Sequence, residues 1–354
     1  MPSSSLPRRL LRDRKRRSVL LDLLPRVEGD ERTLGREERL VREMLETSLK
    51  LLRDASGIGD LKLLNAALRE LRYAFKVFAG YRGIRKVTVF GSARTPPGTP
   101  AYRTAAEFAN RIAEHGYLII TGGGHGIMRA CQEGAGRDRS FGVNIKLPFE
   151  QEANEFILDD PKLVTFRYFF TRKLMFVKEA DAIVLFPGGF GTHDEGYEAL
   201  TLAQTGKMKP VPIVFLDTPR GTYWKSWMQY VKDHLLRPKL ISEEDLYLFR
   251  TTSSVEEAIQ EILGFYRVYH SSRYVGRHWV IRLERPVAPE LCDALARDFA
   301  PLIESGRIEQ RDAFPEEHET EPELDHLPRL AFLARRTSSF GLRRQLIDRL
   351  NREG

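Results

Sequence analysis

The sequence predicts an α/β protein: a Rossmann-like parallel sheet with helices on both faces, preceded by a helical hairpin and followed by a small α+β module. Three observations carry this reading. From Lys86 to about Leu216, short β-rich runs alternate with stretches of helical spacing. The runs are apolar throughout, as strands covered on both faces must be. Three of them end in turns of small residues, at the strand ends where ligands of parallel sheets bind. A chain of 354 residues exceeds what one core usually serves, and 42% hydrophobic content is ample for two or three units.

Residues 1–35 form a basic tail in which Arg8, Arg9, Arg12, Arg14, Lys15, Arg16 and Arg17 face a single Asp13. The tail holds much of the net charge of +7 and reads as a solvated, disordered segment. The apolar run Val19 to Leu24 is short and interrupted by Asp22, which argues against a secretory signal. No run approaches the roughly 20 residues of a membrane span. Cys131 and Cys292 lie far apart without metal-ligand spacing, so a reducing cytoplasm is expected.

Residues 36–82 read as a hairpin. Arg36 to Arg53 and Asp60 to Tyr81 show helical spacing, the second through Leu61, Leu64, Leu68, Leu71, Phe75 and Phe78, and Gly57 and Gly59 separate them. Residues 83–271 read as the nucleotide-binding domain, with strands at Val87 to Phe90, Tyr117 to Thr121, Phe141 to Ile145, Ala182 to Phe186 and Val211 to Leu216. Helices are expected over Tyr102 to His115, Tyr168 to Ala180, Thr192 to Thr205 and Val255 to Tyr269. In residues 272–354 the order becomes β-α-β-β-α: a strand near Trp279 to Leu283, a helix Pro289 to Ser305, strands near Arg307 to Ala313 and Arg329 to Ala334, and a helix from Phe340. This suits a ferredoxin-like or related regulatory module, with Glu316 to Asp325 as a solvated loop.

The small-residue turns are Gly91-Ser92-Ala93, Gly122-Gly123-Gly124-His125-Gly126 and Pro187-Gly188-Gly189-Phe190-Gly191-Thr192. Glycine lets backbone N–H groups approach an anion, and a helix amino terminus adds partial positive charge, so phosphate is the natural occupant of a crevice they share. The N–H groups of Gly188, Gly189, Phe190, Gly191 and Thr192 and the Thr192 hydroxyl would meet it, with Ser92 and Gly122, Gly123 and Gly124 closing the pocket. Neither a G-x-G-x-x-G fingerprint nor a G-x-x-x-x-G-K-[ST] loop is present, which counts against ordinary dinucleotide binding and against a triphosphatase.

The run Pro187-Gly188-Gly189-Phe190-Gly191-Thr192-His193-Asp194-Glu195, with Arg172-Lys173, Met175 and Thr121 to Gly124, resembles the Lonely Guy (LOG) family, often labelled lysine decarboxylase-like. The resemblance covers Lys86 to about Tyr269. It implies a phosphoribohydrolase that cleaves a nucleoside 5′-monophosphate, AMP-like or a cytokinin riboside monophosphate, into free base and ribose 5-phosphate. The segment Asn144 to Gln151 looks like that of longer bacterial members, and His193 departs from the apolar residue common at its position.

Breaking an N-glycosidic bond develops positive charge on the ribose, which a nearby carboxylate stabilises. Glu195 is the first candidate. Thr192 and Glu195 also spell a capping box, which spacing alone would favour, and the resemblance reverses that preference. Glu198 lies one turn further on and would raise the pKa of its neighbour or orient Arg172. The resemblance places Arg172 beside the nucleotide and brings Lys173 with it. No metal and no cofactor is expected, since no ligand cluster stands out and no lysine with a pyridinium partner can be assigned for pyridoxal chemistry. A membrane or nucleic-acid partner is not expected either. A noncatalytic sensor of a nucleotide or alarmone is the alternative.

The apolar stripe from Leu61 to Phe78 has no complete core of its own, and by resemblance to the family a homodimer or higher oligomer is expected through the hairpin or the helices flanking the signature. Packing on the sheet is the rival use of the stripe. Light scattering on the whole chain and on one beginning near Gly83 separates the two. A monomer at micromolar concentration rejects the oligomer, and an oligomer that survives truncation moves the interface onto the nucleotide domain.

Overall fold

The computed structural model describes residues 35–54, 56–147, 152–335 and 337–354, so the basic tail and part of the loop after Ile145 lie outside the described residues. The chain divides into two compact units, Met1–Glu70 and Leu71–Gly354. In the first, the helix Arg36–Arg53 starts at Gly35, whose N–H donates to the Glu38 carboxylate (2.9 Å). The helix Ile58–Ala79 runs from the first unit into the second. Leu64 and Leu68 of its stripe are exposed, whereas Ala74 and Phe78 are core residues of the second unit. Phe78 stacks on Phe141 with ring centroids 4.5 Å apart. Only the end of the stripe at Phe78 thus packs on the sheet.

The second unit is built on a seven-stranded parallel sheet in the order β4-β3-β2-β1-β5-β6-β7. Its strands are β1 Lys86–Phe90, β2 Leu118–Thr121, β3 Ser140–Ile145, β4 Leu163–Phe166, β5 Ala182–Leu185, β6 Ile213–Leu216 and β7 Arg250–Thr252. Successive side chains serve opposite layers: Val87 and Val89 join Phe108, Ile112 and Ile259, while Phe90 joins Phe141, Phe176, Phe215 and Trp224. With apolar layers on both faces the central strands are buried throughout, which is why they read as unbroken apolar runs.

The five predicted strands are present within a residue or two. The structure adds β4 and β7 at the two edges and the helices Ile127–Ala135 and Tyr223–Tyr230 between strands. The helices around the site are Pro100–Glu114, Phe169–Lys178 and Phe190–Gln204.

The carboxyl-terminal sheet is antiparallel in the order β10-β11-β9-β8, with β8 Tyr269–Val275, β9 His278–Leu283, β10 Ile303–Arg311 and β11 Arg329–Ala334. Its order is β-β-α-β-β-α. The helix over Val255 ends at Phe265 and the chain enters β8, an extra strand relative to the sequence reading. The helix from Pro289 ends at Asp298, because Pro301 cannot continue it; Ala300–Leu302 form a 3-10 turn and Ile303 to Ser305 belong to β10.

Glu316 to Asp325 is not a solvated loop. It carries the short helix Pro315–His318, whose Glu317 is fully buried. Arg282 donates to Glu317 Oε1 through Nη2 (2.7 Å) and Nε (3.0 Å), and Arg329 lies 3.4 Å from Oε2. Two buried guanidinium groups thus draw the acidic segment onto the sheet. Replacing Glu317 by Ala removes the carboxylate the two cations share, leaving Arg282 to Glu321 and Arg329 to the Asp325 and Leu327 carbonyls, and a loss of about 3 kcal/mol is expected in denaturant unfolding. A loss below about 1 kcal/mol would mean that other acceptors hold the pair.

Candidate active site

The order of the parallel sheet reverses at β1, which has β2 on one side and β5 on the other. The chain leaves these two central strands in opposite directions, opening a crevice at their carboxyl ends. The turn after β1 and the turn after β5 flank it and are joined directly, Ser92 N–H donating to Pro187 O (3.2 Å). A cleft of about 710 Å³ lies there, lined among others by Ser92, Gly122, Arg172, Gly188 to Glu195 and Tyr223.

Close approach explains several of the glycines. A Cβ on Gly188 would fall 2.1 Å from Thr192 Oγ1 and 3.0 Å from Ser92 N, so the two turns can lie against each other only without a side chain there. Gly126, at φ +64°, leaves no room for one either, with Ser92 O 2.2 Å from the Cβ position. Ile127 N–H then donates to that same Ser92 O (3.0 Å), which fixes the second turn to the first.

The helix of the signature starts at Phe190, with Gly189 as its N-cap, and the first backbone bond runs from His193 N–H to Gly189 O (3.2 Å). The N–H groups of Gly189, Phe190, Gly191 and Thr192 therefore stand ahead of the helical ladder, at the positive end of a 15-residue helix bordering the cleft. Thr192 is already inside the first turn, so Thr192 and Glu195 do not form a capping box and Glu195 is free of that duty.

Glu195 is nearly buried, and this pushes its carboxyl up to about 7; the charges of Lys173 and Arg172 oppose the shift, while Glu198 and Asp194 add to it. Lys173 Nζ is 2.8 Å from Asp194 Oδ2, 2.8 Å from Glu198 Oε2 and 4.0 Å from Glu195 Oε2. Burial works against its ammonium, but the bonds to Asp194 and Glu198 hold its pKa above the ordinary value. Arg172 comes from the neighbouring helix and donates through Nε to Val143 O (2.9 Å). Burial lowers its pKa and Glu195 opposes that, yet a guanidinium stays protonated at any ordinary pH. Gly122 makes its place: a Cβ there would lie 2.5 Å from Arg172 Nη2.

Most of the residues singled out in the sequence converge on this cleft: Ser92, Gly122, Arg172, Gly188, Gly189, Phe190, Gly191, Thr192 and Glu195. Lys173 and Glu198 stand behind Glu195 as an ion pair and are not among the lining residues. Gly123 and Gly124 face the other way. Gly123 N–H donates to Thr121 Oγ1 (3.0 Å), and the carbonyls of Gly123 and Gly124 accept from Asn154 Nδ2 (3.0 and 2.7 Å). Sequence reasoning missed Tyr223, Met128 and Phe169 as lining residues. Tyr223 opens a helix whose aromatic-rich letters, Tyr-Trp-Lys-Ser-Trp-Met-Gln-Tyr, gave no helical signal, and the other two carry no motif.

Among the described residues no group of three or more His, Cys, Asp and Glu could hold a metal ion, and no helix is long and apolar enough to cross a membrane.

Residues 125–262 match the family model described as "Possible lysine decarboxylase". Curated relatives include the cytokinin riboside 5′-monophosphate phosphoribohydrolase LOG of Oryza sativa subsp. japonica, 25% identical over 214 residues, 58% of this chain and 83% of that one. The enzyme of the same name from Mycobacterium tuberculosis is 29% identical over 146 residues, 40% of this chain and 76% of its own. Residues 125–262 are thus similar to the LOG family. The chain spans 60% of the length of another relative, LOG7 of Arabidopsis thaliana, at 29% identity and over 37% of its own length. Similar solved structures include the molybdenum cofactor binding protein from Rippkaea orientalis, 18% identical over 51% of this chain and 97% of that one, at a TM-score of 0.38. The family match begins after Gly124 and so leaves out β1, β2, Ser92 and Gly122, the last two of which line the cleft.

A carboxyl with a raised folded-state pKa binds its proton more tightly in the native protein than in the unfolded chain. Between the ordinary value of 4.5 and about 7, stability falls as pH rises, and the cost of the buried charge is complete above that window. Glu195→Gln is therefore expected to unfold at higher denaturant than the parent at pH 8, by about 1 to 3 kcal/mol, with the gap closing below pH 5. Equal stability at pH 8 would place the carboxylate in solvent.

Proposed function

We propose that the cleft binds a nucleoside 5′-monophosphate, AMP-like or a cytokinin riboside monophosphate, and hydrolyses its N-glycosidic bond to free base and ribose 5-phosphate. The observation that carries this is the pairing in one cleft of an unspent helix amino terminus with a buried carboxylate five residues further along the same helix. The names of the family relatives support the same reaction class.

The phosphate sits on the N–H groups of Gly189 to Thr192, with Ser92 beside them. The Arg172 fork, kept in place by its bond to Val143 O, adds a fixed positive charge. Glu195 then faces the ribose. As the bond from C1′ to the base breaks, the base leaves with the bonding pair, and positive charge grows on the ribose ring opposite the carboxylate. Water adds to C1′ and gives its proton to Glu195; a carboxyl near 7 accepts it and releases it through solvent, and the departing base nitrogen takes up a proton in its place. Lys173, bridging Asp194 and Glu198, holds the acidic face of the helix in register behind it. The reading includes a homo-oligomer, supported by the exposed Phe169, Phe170, Leu174 and Phe190.

Incubation with a panel of nucleoside monophosphates, with released base as the readout, tests the reaction. Hydrolysis of AMP is expected, with adenosine left nearly untouched because it lacks the group the glycine turns hold; equal efficiency on both would sink the assignment. Glu195→Gln should lose turnover by roughly three orders of magnitude while keeping nucleotide affinity, and Arg172→Ala should lose both. In the parent, kcat is expected to rise with pH through about 7 as Glu195 gives up its proton. A profile flat across that range would assign the base role elsewhere.

A further inference from the structure

The Gly188 carbonyl has a side-chain donor. Tyr223 Oη donates to Gly188 O, and His193 Nε2 lies 2.7 Å from the same hydroxyl. The hydroxyl has one hydrogen and the carbonyl can only accept, so that hydrogen goes to Gly188 and His193 must donate through Nε2–H. The histidine tautomer is fixed by this chain of bonds. Tyr223 is itself held from the end of β6: buried Asp217 accepts from Trp224 N–H (3.3 Å), and Trp224 Nε1 donates to Leu216 O (3.3 Å). Gly221 lies so close to Asp217 that a Cβ on it would fall 2.0 Å from Oδ1.

A trans peptide is planar, with its C=O and the following N–H pointing in opposite directions. Whatever grips the Gly188 carbonyl therefore also aims the Gly189 N–H. Glycine on both sides of that peptide leaves the unit otherwise free to turn over, since neither residue carries a Cβ to resist it. We infer that Tyr223, oriented by His193, is a positioning residue that holds the Gly188–Gly189 peptide with its N–H toward the cleft, and so sets the affinity for the substrate phosphate. The inference rests on the nucleotide reading above and assigns to β6 and the following helix a part in it.

The test compares ligands with and without a phosphate on the full chain. By calorimetry, Tyr223→Phe is expected to weaken AMP and ribose 5-phosphate on the order of tenfold and to leave adenosine within twofold. In turnover of AMP the same variant raises KM with kcat little changed, since phosphate binding is gripped equally in ground and transition states. His193→Phe removes the donor that orients the hydroxyl and should weaken AMP by a smaller factor; His193→Gln, which keeps an N–H donor on a side chain of similar reach, should restore most of it. Unchanged AMP affinity in Tyr223→Phe overturns the inference. So does equal weakening of AMP and adenosine, which would mean general damage to the cleft. Failure of the parent protein to bind AMP at all is a different result, and overturns the nucleotide reading together with this one.

Discussion

The bond from Ser92 N–H to Pro187 O is the constraint on which the cleft depends. It joins the turns after β1 and β5, the two strands between which the sheet changes direction. Backbone meets backbone there, so the approach is set by what the chain omits. Gly188 and Gly126 both occupy places that a Cβ would close. With the turns so fixed, the helix from Phe190 enters the cleft at one angle, and Glu195 follows at a set distance from its first free N–H groups.

A second layer of constraint surrounds the charges. Arg172 is brought in from a different helix, with one bond to the β3 backbone and room made by Gly122. Lys173, the next residue, takes the opposite side of the same helix turn and ties down Asp194 and Glu198. Adjacent basic residues thus do different work: one faces the cleft, the other supports the helix that borders it. Burial then sets the proton affinity of Glu195, since its four charged neighbours, two of each sign, partly cancel.

Much of the central sheet was legible because its strands are buried on both sides, so that burial leaves an unbroken apolar run in the letters. Edge strands leave weaker traces. β7 is Arg-Thr-Thr, with no buried residue, and β4 is only four residues long with one of them exposed. The helix Ile127–Ala135 follows a glycine turn so closely that the turn absorbed its signal. In the site, the signature placed Glu195 and Arg172, but nothing in the spacing could say that the helix begins at Phe190 and not at Thr192. Phe190 and Gly191 are poor helix starters by their letters; the cleft geometry, with Gly189 as cap, decides the matter. Gly123 and Gly124 show the converse error. They belong to the same run as Gly122, yet the positive φ of Gly123 turns the chain away toward Asn154, and a glycine run does not say which of its members meets a ligand. Glu317 was unreadable for a simpler reason: its two arginine partners lie on separate strands, 35 and 12 residues away, at no spacing a helix or turn would mark.

That Glu195 closes no helix end has an evolutionary consequence. The fold does not need this side chain, and keeping a carboxylate buried there opposes stability, so only selection for what the group does can retain it. A lineage released from that selection would lose the acid early and keep Gly188 and Gly126, which the backbone itself requires. The identity of the residue at this single position is thus the first thing to read in any relative.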